Sequence, residues 1–107
     1  MRASRYPVHL VVLHRADGHA EWRQTTTVNI SSSGVLFVVD DPLPVGSSLE
    51  FRLVLPPNTL AAHHGEIYGH GRVARVVEWP AASRCGCAIA IEQYEFRRGS
   101  SPQYAYA

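Results

Sequence analysis

No stretch of this chain stays apolar for the roughly 20 residues that a membrane-spanning helix requires. The apolar run that opens at Tyr6-Pro7-Val8 is broken by His9 and His14, and no small-residue cleavage site follows it. The sequence therefore predicts neither a membrane span nor a secretory signal. Cysteine is scarce. The chain has two, Cys85 and Cys87, and on a strand two such positions point to one face and are poorly placed to pair with each other. That pattern predicts reduced thiols and a cytoplasmic setting. Charge is scarce too: charged residues make up 18% of the chain, and the net charge is +1 with the six histidines neutral. A balance so near zero excludes bulk electrostatic attraction to nucleic acid, so no DNA or RNA partner is expected and any anion site must be local.

Catalytic and metal signatures are missing as well. Ser31, Ser32 and Ser33 have histidines elsewhere in the chain, but nothing sets up an activated nucleophile as a triad does. The acids are scattered, and Asp40-Asp41 reads as part of a turn. His63, His64 and His70 match no standard zinc spacing. No enzyme activity, no metal and no cofactor is expected. Internal repeats and low-complexity segments are lacking. Amphipathic helices longer than about two turns are lacking too, with Glu92 to Arg98 the single candidate.

What the chain has is a period of two. Leu49, Phe51, Leu53 and Leu55 alternate with Glu50, Arg52 and Val54, the pattern of a half-buried strand. Val8, Leu10 and Val12 alternate with His9, Val11 and Leu13 in the same way. Ala16-Asp17-Gly18-His19 gives a turn, and Glu21 to Ile30 returns antiparallel. Val35 to Val39 is a short apolar strand, ended by Asp40-Asp41-Pro42-Leu43-Pro44-Val45-Gly46. Pro56 to Gly65 reads as a loop, Glu66 to Trp79 as a long strand and Cys85 to Ile91 as the last, with Pro80-Ala81-Ala82-Ser83 between them. Alternation fails between Val73, Val76 and Val77, which predicts a bulge or twist near Arg75. Trp22 and Trp79 are expected to pack on the sheet and Cys87 to face the core. The 107 residues suit a single domain, and six short strands point to an antiparallel barrel or sandwich.

Two features carry candidate binding chemistry. Asn29-Ile30-Ser31-Ser32-Ser33-Gly34 places an amide, a hydroxyl and a glycine at one strand end. Such a turn offers polar groups and backbone N–H donors to a nucleotide edge or phosphate, and it equally serves as a plain polar turn. Arg2 and Arg5 precede the first strand. A guanidinium fork grips a phosphate or guanine O6 and N7 in bidentate fashion, and a solvated basic terminus reads the same way in isolation. Arg72 and Arg75 flank this region.

An arginine pair, Tyr6-Pro7-Val8 and a strand, then Asn29-x-Ser31-x-x-Gly34, then Pro42-Leu43-Pro44-Val45-Gly46: this order resembles PilZ domains. Gly71-Arg72-Val73-Ala74-Arg75-Val76 is similar to that family's fifth strand, and Gly86-Cys87-Ala88-Ile89-Ala90-Ile91 to its sixth. The resemblance implies an all-β, six-stranded antiparallel barrel of split or Greek-key type, with the family's trailing helix short or absent. It divides the chain into a barrel domain over residues 1–96 and a flexible tail over 97–107. It also implies that cyclic di-GMP is the ligand, held on the outside of the barrel by Arg2, Arg5, Asn29, Ser31 and Gly34. Of the family's arginine pair, Arg5 fits the second member; the first falls on Met1, and Arg2 stands one residue away. Two functions follow. One is a regulatory module that changes conformation on binding the messenger and signals to a protein effector. The other is a degenerate PilZ domain that binds no nucleotide and acts as a protein-interaction adaptor.

Overall fold

The computed structural model describes residues 7–56 and 64–99. Six antiparallel strands form it: β1 (Val11–Ala16), β2 (Arg23–Ile30), β3 (Gly34–Val39), β4 (Ser48–Leu55), β5 (His64–Trp79) and β6 (Arg84–Gly99). They close into a barrel in the order β1-β2-β3-β6-β5-β4, with β1 against β4 completing the ring. Closure satisfies strand edges that an open sheet would leave bare.

The period-two pattern becomes an inside and an outside. Val12 of β1, Val35 and Phe37 of β3, Leu49, Phe51 and Leu53 of β4, Val73 of β5 and Cys87 and Ile89 of β6 are all at most 2% exposed. Each fully buried side chain of this size contributes about 1.5–3 kcal/mol, and the cluster is continuous around the barrel axis. Cys87 faces this interior as expected, and burial pushes its thiol up to about 11. Cys85 and Cys87 are both unpaired.

The connections follow from local chemistry. Gly18, at φ 87°, adopts the left-handed backbone that the tight β1–β2 turn requires, and the His19 N–H closes that turn on Ala16 O at 3.0 Å. Between β5 and β6 a single 3₁₀ turn over Pro80–Ala82 ends at Ser83, whose N–H donates to Pro80 O at 3.1 Å. The predicted irregularity near Arg75 is present: the β5–β6 register shifts between Val73 and Arg75, and again between His70 and Gly71.

Three expectations need correction. β1 begins at Val11, because the Thr27 hydroxyl takes the Leu10 N–H and the Val8 carbonyl, leaving one backbone bond, Thr27 N–H to Leu10 O, in place of a regular ladder. The helix candidate Glu92 to Arg98 is the second half of β6. Tyr94 and Phe96 there alternate with Gln93, Glu95 and Arg97, and all five pair with β5. For the same reason residues 97–99, assigned above to a tail, belong to the strand, which runs to Gly99. Among the described residues that 3₁₀ turn is the one helical element, as a short or absent trailing helix requires.

Candidate functional site

The β2–β3 hairpin carries Asn29, Ser31 and Gly34 together. The register of β2 against β3 shifts between Thr27 and Asn29, so Val28 is bulged out and Asn29 lies opposite Leu36. Val35 and Phe37 point inward, so Leu36 and its partner Asn29 face outward. Asn29 is half-buried there and has a polar partner.

Ser31 is 6% exposed, and its hydroxyl organises the turn that follows. Ser31 Oγ accepts from the Gly34 N–H at 3.1 Å and from the Ser33 N–H at 3.3 Å. Ser33 Oγ lies 3.3 Å away, and the Ser31 N–H donates to Gly34 O at 2.9 Å. The glycine is required by space: a Cβ at position 34 would sit 2.8 Å from the backbone oxygen of Ile89. The Ile91 N–H then donates to Ser33 O at 2.9 Å, which ties the hairpin tip to β6.

The outer wall beside the hairpin is flat. Asn29 pairs with Leu36, Leu36 with Ala88, and Ala88 with Arg75, one row across β2, β3, β6 and β5. Leu36 is 6% and Ala88 5% exposed although they face outward. Gly86, next along β6, has the Trp79 ring over it: a Cβ there would meet Trp79 Cη2 at 2.6 Å and Leu36 Cδ1 at 3.0 Å. Trp79 thus packs on the wall, as its position predicted. Arg75 is exposed and has no polar partner among the described residues. Arg72 donates to Glu92 Oε2 at 3.3 Å and to Gly46 O at 3.2 Å.

Arg2 and Arg5 lie outside the described residues, but the point from which they depart is described. Thr27 is 1% exposed. Its Oγ1 accepts from the Leu10 N–H at 2.8 Å and donates to Val8 O at 2.5 Å. Its N–H donates to Leu10 O at 2.9 Å, and His9 Nδ1 donates to its carbonyl at 3.0 Å. Thr27 therefore clasps Val8, His9 and Leu10 onto β2, two residues before Asn29. Sequence reasoning missed it, because nothing in the sequence separates Thr27 from Thr25 and Thr26; what distinguishes it is the segment Val8 to Leu10 that passes beside it.

The opposite side of the barrel is built from paired charges. Arg15 Nε donates to Glu50 Oε1 at 2.9 Å, and Tyr68 donates to Glu50 Oε2. The Tyr68 and Arg15 hydrogen bonds hold the Glu50 carboxyl below its usual range, and the bond to Glu50 holds the Tyr68 phenol above its own. Arg52 Nη2 reaches Glu66 at 2.9 Å, and Arg97 reaches Glu95 at 2.8 Å while its guanidinium lies 4.0 Å from the Tyr68 ring centroid. Trp22, the other predicted packing tryptophan, has Arg15 4.3 Å and Arg52 5.3 Å from its ring centroid. Of the three histidines weighed above, His63 lies outside the described residues and His64 opens β5, its backbone opposite Gly99. His70 sits between Asp17 at 3.0 Å and Glu92 at 3.1 Å, contacts that hold it protonated to higher pH, the Asp17 hydrogen bond foremost. A cleft of ≈ 320 Å³ lined by His14, Arg23, Asp40 and Arg84 opens at the far mouth of the barrel. It lies at the start of β2 and the end of β3, whereas the polar hairpin joins the end of β2 to the start of β3.

Fold and site together define a class: a small closed antiparallel barrel with a polar Asn/Ser/Gly hairpin on its outer wall, next to the root of an arginine-bearing arm. The chain belongs to the PilZ domain family, whose model matches residues 1–97. Among solved structures it is similar to the Bacillus subtilis inhibitor of motility (MotI/DgrA), with a TM-score of 0.74 and 21% identity. The match covers 98% of this chain and 46% of that one, so the present chain spans about half of that protein's length. No curated protein matches.

Proposed function

We propose that this domain is a regulatory module that binds cyclic di-GMP on its outer wall, in the cytoplasm, and passes the binding event to a protein effector. One observation carries the reading. The Thr27 clasp roots the amino-terminal arm two residues from Asn29, on the edge of the flat row that ends at Arg75. Arg5 is three residues upstream of Val8, which chain length keeps within about 11 Å of the clasp, and Arg2 within about 22 Å. A dianionic guanine dinucleotide suits this setting. Arg5 and Arg2 supply forks for phosphate or for guanine O6 and N7, and Asn29 supplies an amide. Ser31 and Gly34 act by shaping the hairpin. Binding orders the arm, and the ordered arm presents the effector with a surface that the free domain lacks. The effector must bind the two states with different affinity for a signal to pass. The role is that of a binding module, without catalysis.

The test is isothermal titration of the chain with cyclic di-GMP, repeated with Arg5→Ala. Saturable heat that disappears in the variant supports the reading. An absence of heat at high micromolar ligand sinks it and leaves the adaptor function. Two observations favour that second reading: Ser31 has its hydroxyl engaged inside its own turn, and Met1 stands where the first arginine of the family's pair falls.

A further inference from the structure

Among the described residues, β6 has strand neighbours on both sides only along its first half. β3 covers it from Cys85 to Ala90, and β5 covers it to Gly99. From Glu92 onward the second edge faces no strand among the described residues. Such an edge presents a row of N–H and C=O groups to any strand of matching pattern.

The side chains along this edge are specific. Phe96 pairs with Ile67 and Tyr94 with Gly69, so both aromatics lie on the side of the sheet that faces the core. The Phe96 ring rests over Gly65, where a Cβ would come within 2.7 Å of it. Even so, Tyr94 is 59% and Phe96 57% exposed, because the ribbon has outrun the barrel there. On the other side of the sheet Glu95 and Arg97 flank Phe96 in sequence, half exposed and bonded to each other.

We propose that this edge pairs antiparallel with the same edge of a second copy of the chain, with the two-fold axis at Phe96. The sequence selects that register. A two-fold normal to the sheet places residues equally distant from the axis opposite one another, on one face. With the axis at Phe96, Glu95 of each copy lies opposite Arg97 of the other, twice over, and the two exposed Phe96 rings meet. An axis at Glu95 puts two carboxylates face to face, and an axis at Arg97 puts two guanidiniums face to face; like charges directly opposite are destabilising. The acid-aromatic-base triplet is thus its own complement. The paired edge covers the two large exposed aromatics and extends the β5–β6 ribbon into a sheet across both copies. The hairpin with Asn29 and Ser31 stays outside the interface.

The experiment is sedimentation of the wild-type chain without nucleotide, from about 1 μM to about 1 mM, a range that spans weak to moderate affinities. The wild type is expected to shift with concentration from the monomer mass of 11.8 kDa to twice that value. Arg97→Glu and Glu95→Arg are each expected to weaken the dimer roughly a hundredfold, since each creates two like-charge contacts per interface. An equimolar mixture of the two variants is expected to restore the dimer as a mixed pair, because acid then meets base at both contacts. Circular dichroism checks that each variant keeps its strands. If a variant loses them, the concentration series on the wild type decides alone. A wild type that stays monomeric throughout overturns the proposal and leaves the edge to a different polypeptide. So do single variants that dimerise like the wild type, or a mixture that dimerises no better than its components. None of these readings depends on whether cyclic di-GMP binds.

Discussion

The barrel's outer wall has two sectors made in different ways. Along β2, β3 and the first half of β6 it is low: Gly86 lies under the Trp79 ring with Leu36 beside it, and Asn29 and Arg75, which has no polar partner among the described residues, stand at the two ends of the neighbouring row. Along β1, β4, the first half of β5 and the second half of β6 it is a lattice of bonded charge, in which Arg15, Glu50, Tyr68, Arg52, Glu66, Glu95 and Arg97 satisfy one another. The contrast lies in pairing: the guanidiniums of the charged sector have carboxylate partners, whereas Arg75 has none among the described residues. Charge is scarce overall, at 18% of the residues, so its distribution between the two sectors matters more than its amount.

The contrast breaks most severely at Gly34. Gly34→Val drives a side chain against the Ile89 carbonyl, which cannot turn aside as a side chain does. A stability loss of about 3 kcal/mol or more is expected by urea denaturation, with the hairpin detached from β6. Next comes the interior that both sectors share. His14 is 6% exposed, its ring 4.7 Å from that of Phe37, and burial, with the Arg23 charge as a lesser cause, lowers its pKa to about 4. The unfolded chain takes up that proton near pH 6.5, so the folded state is favoured fully above that value and loses stability as the pH falls toward 4. The loss amounts to up to about 3 kcal/mol, and thermal melts of His14→Gln are expected to be flatter over that window.

Arg75→Ala sharpens the contrast without touching stability. It is expected to weaken cyclic di-GMP by about tenfold in titration while the melting temperature stays put. In the charged sector, Tyr68→Phe removes one hydrogen bond to Glu50 and is expected to cost about 1 kcal/mol, with the Glu50 carboxyl titrating higher by NMR. The smallest effect is expected from Glu95→Ala. Its pair with Arg97 is half exposed, and solvent screens such pairs, so the melting temperature is expected to stay put; a clear drop in the melt contradicts the picture of a solvent-screened pair.

Most of the barrel was legible because its strands alternate cleanly. Leu49, Phe51 and Leu53 announce their inward face, and the Val73–Val76 break announces a bulge that is there. The upper half of β6 was not legible, for a physical reason. The register shift between His70 and Gly71 leaves Glu92 unpaired, so the inward parity that runs through Cys87 and Ile89 is lost before Tyr94 and Phe96 take it up again. Asn29, Ser31 and Gly34 were visible as a group, but their division of labour was not. It depends on which atoms the folded turn already satisfies. Thr27 was invisible, since its importance lies entirely in the chain that passes beside it.

The space at Gly34 has a bearing on what the hairpin's residues report. The Ile89 carbonyl forbids a side chain there whether or not any nucleotide is present, and the Ser31 hydroxyl closes the same bend. Two of the three letters in the Asn-x-Ser-x-x-Gly signature are therefore held in place by the architecture of the wall. Substitutions elsewhere on the wall would leave them standing, so the Ser and Gly of this signature report the hairpin itself.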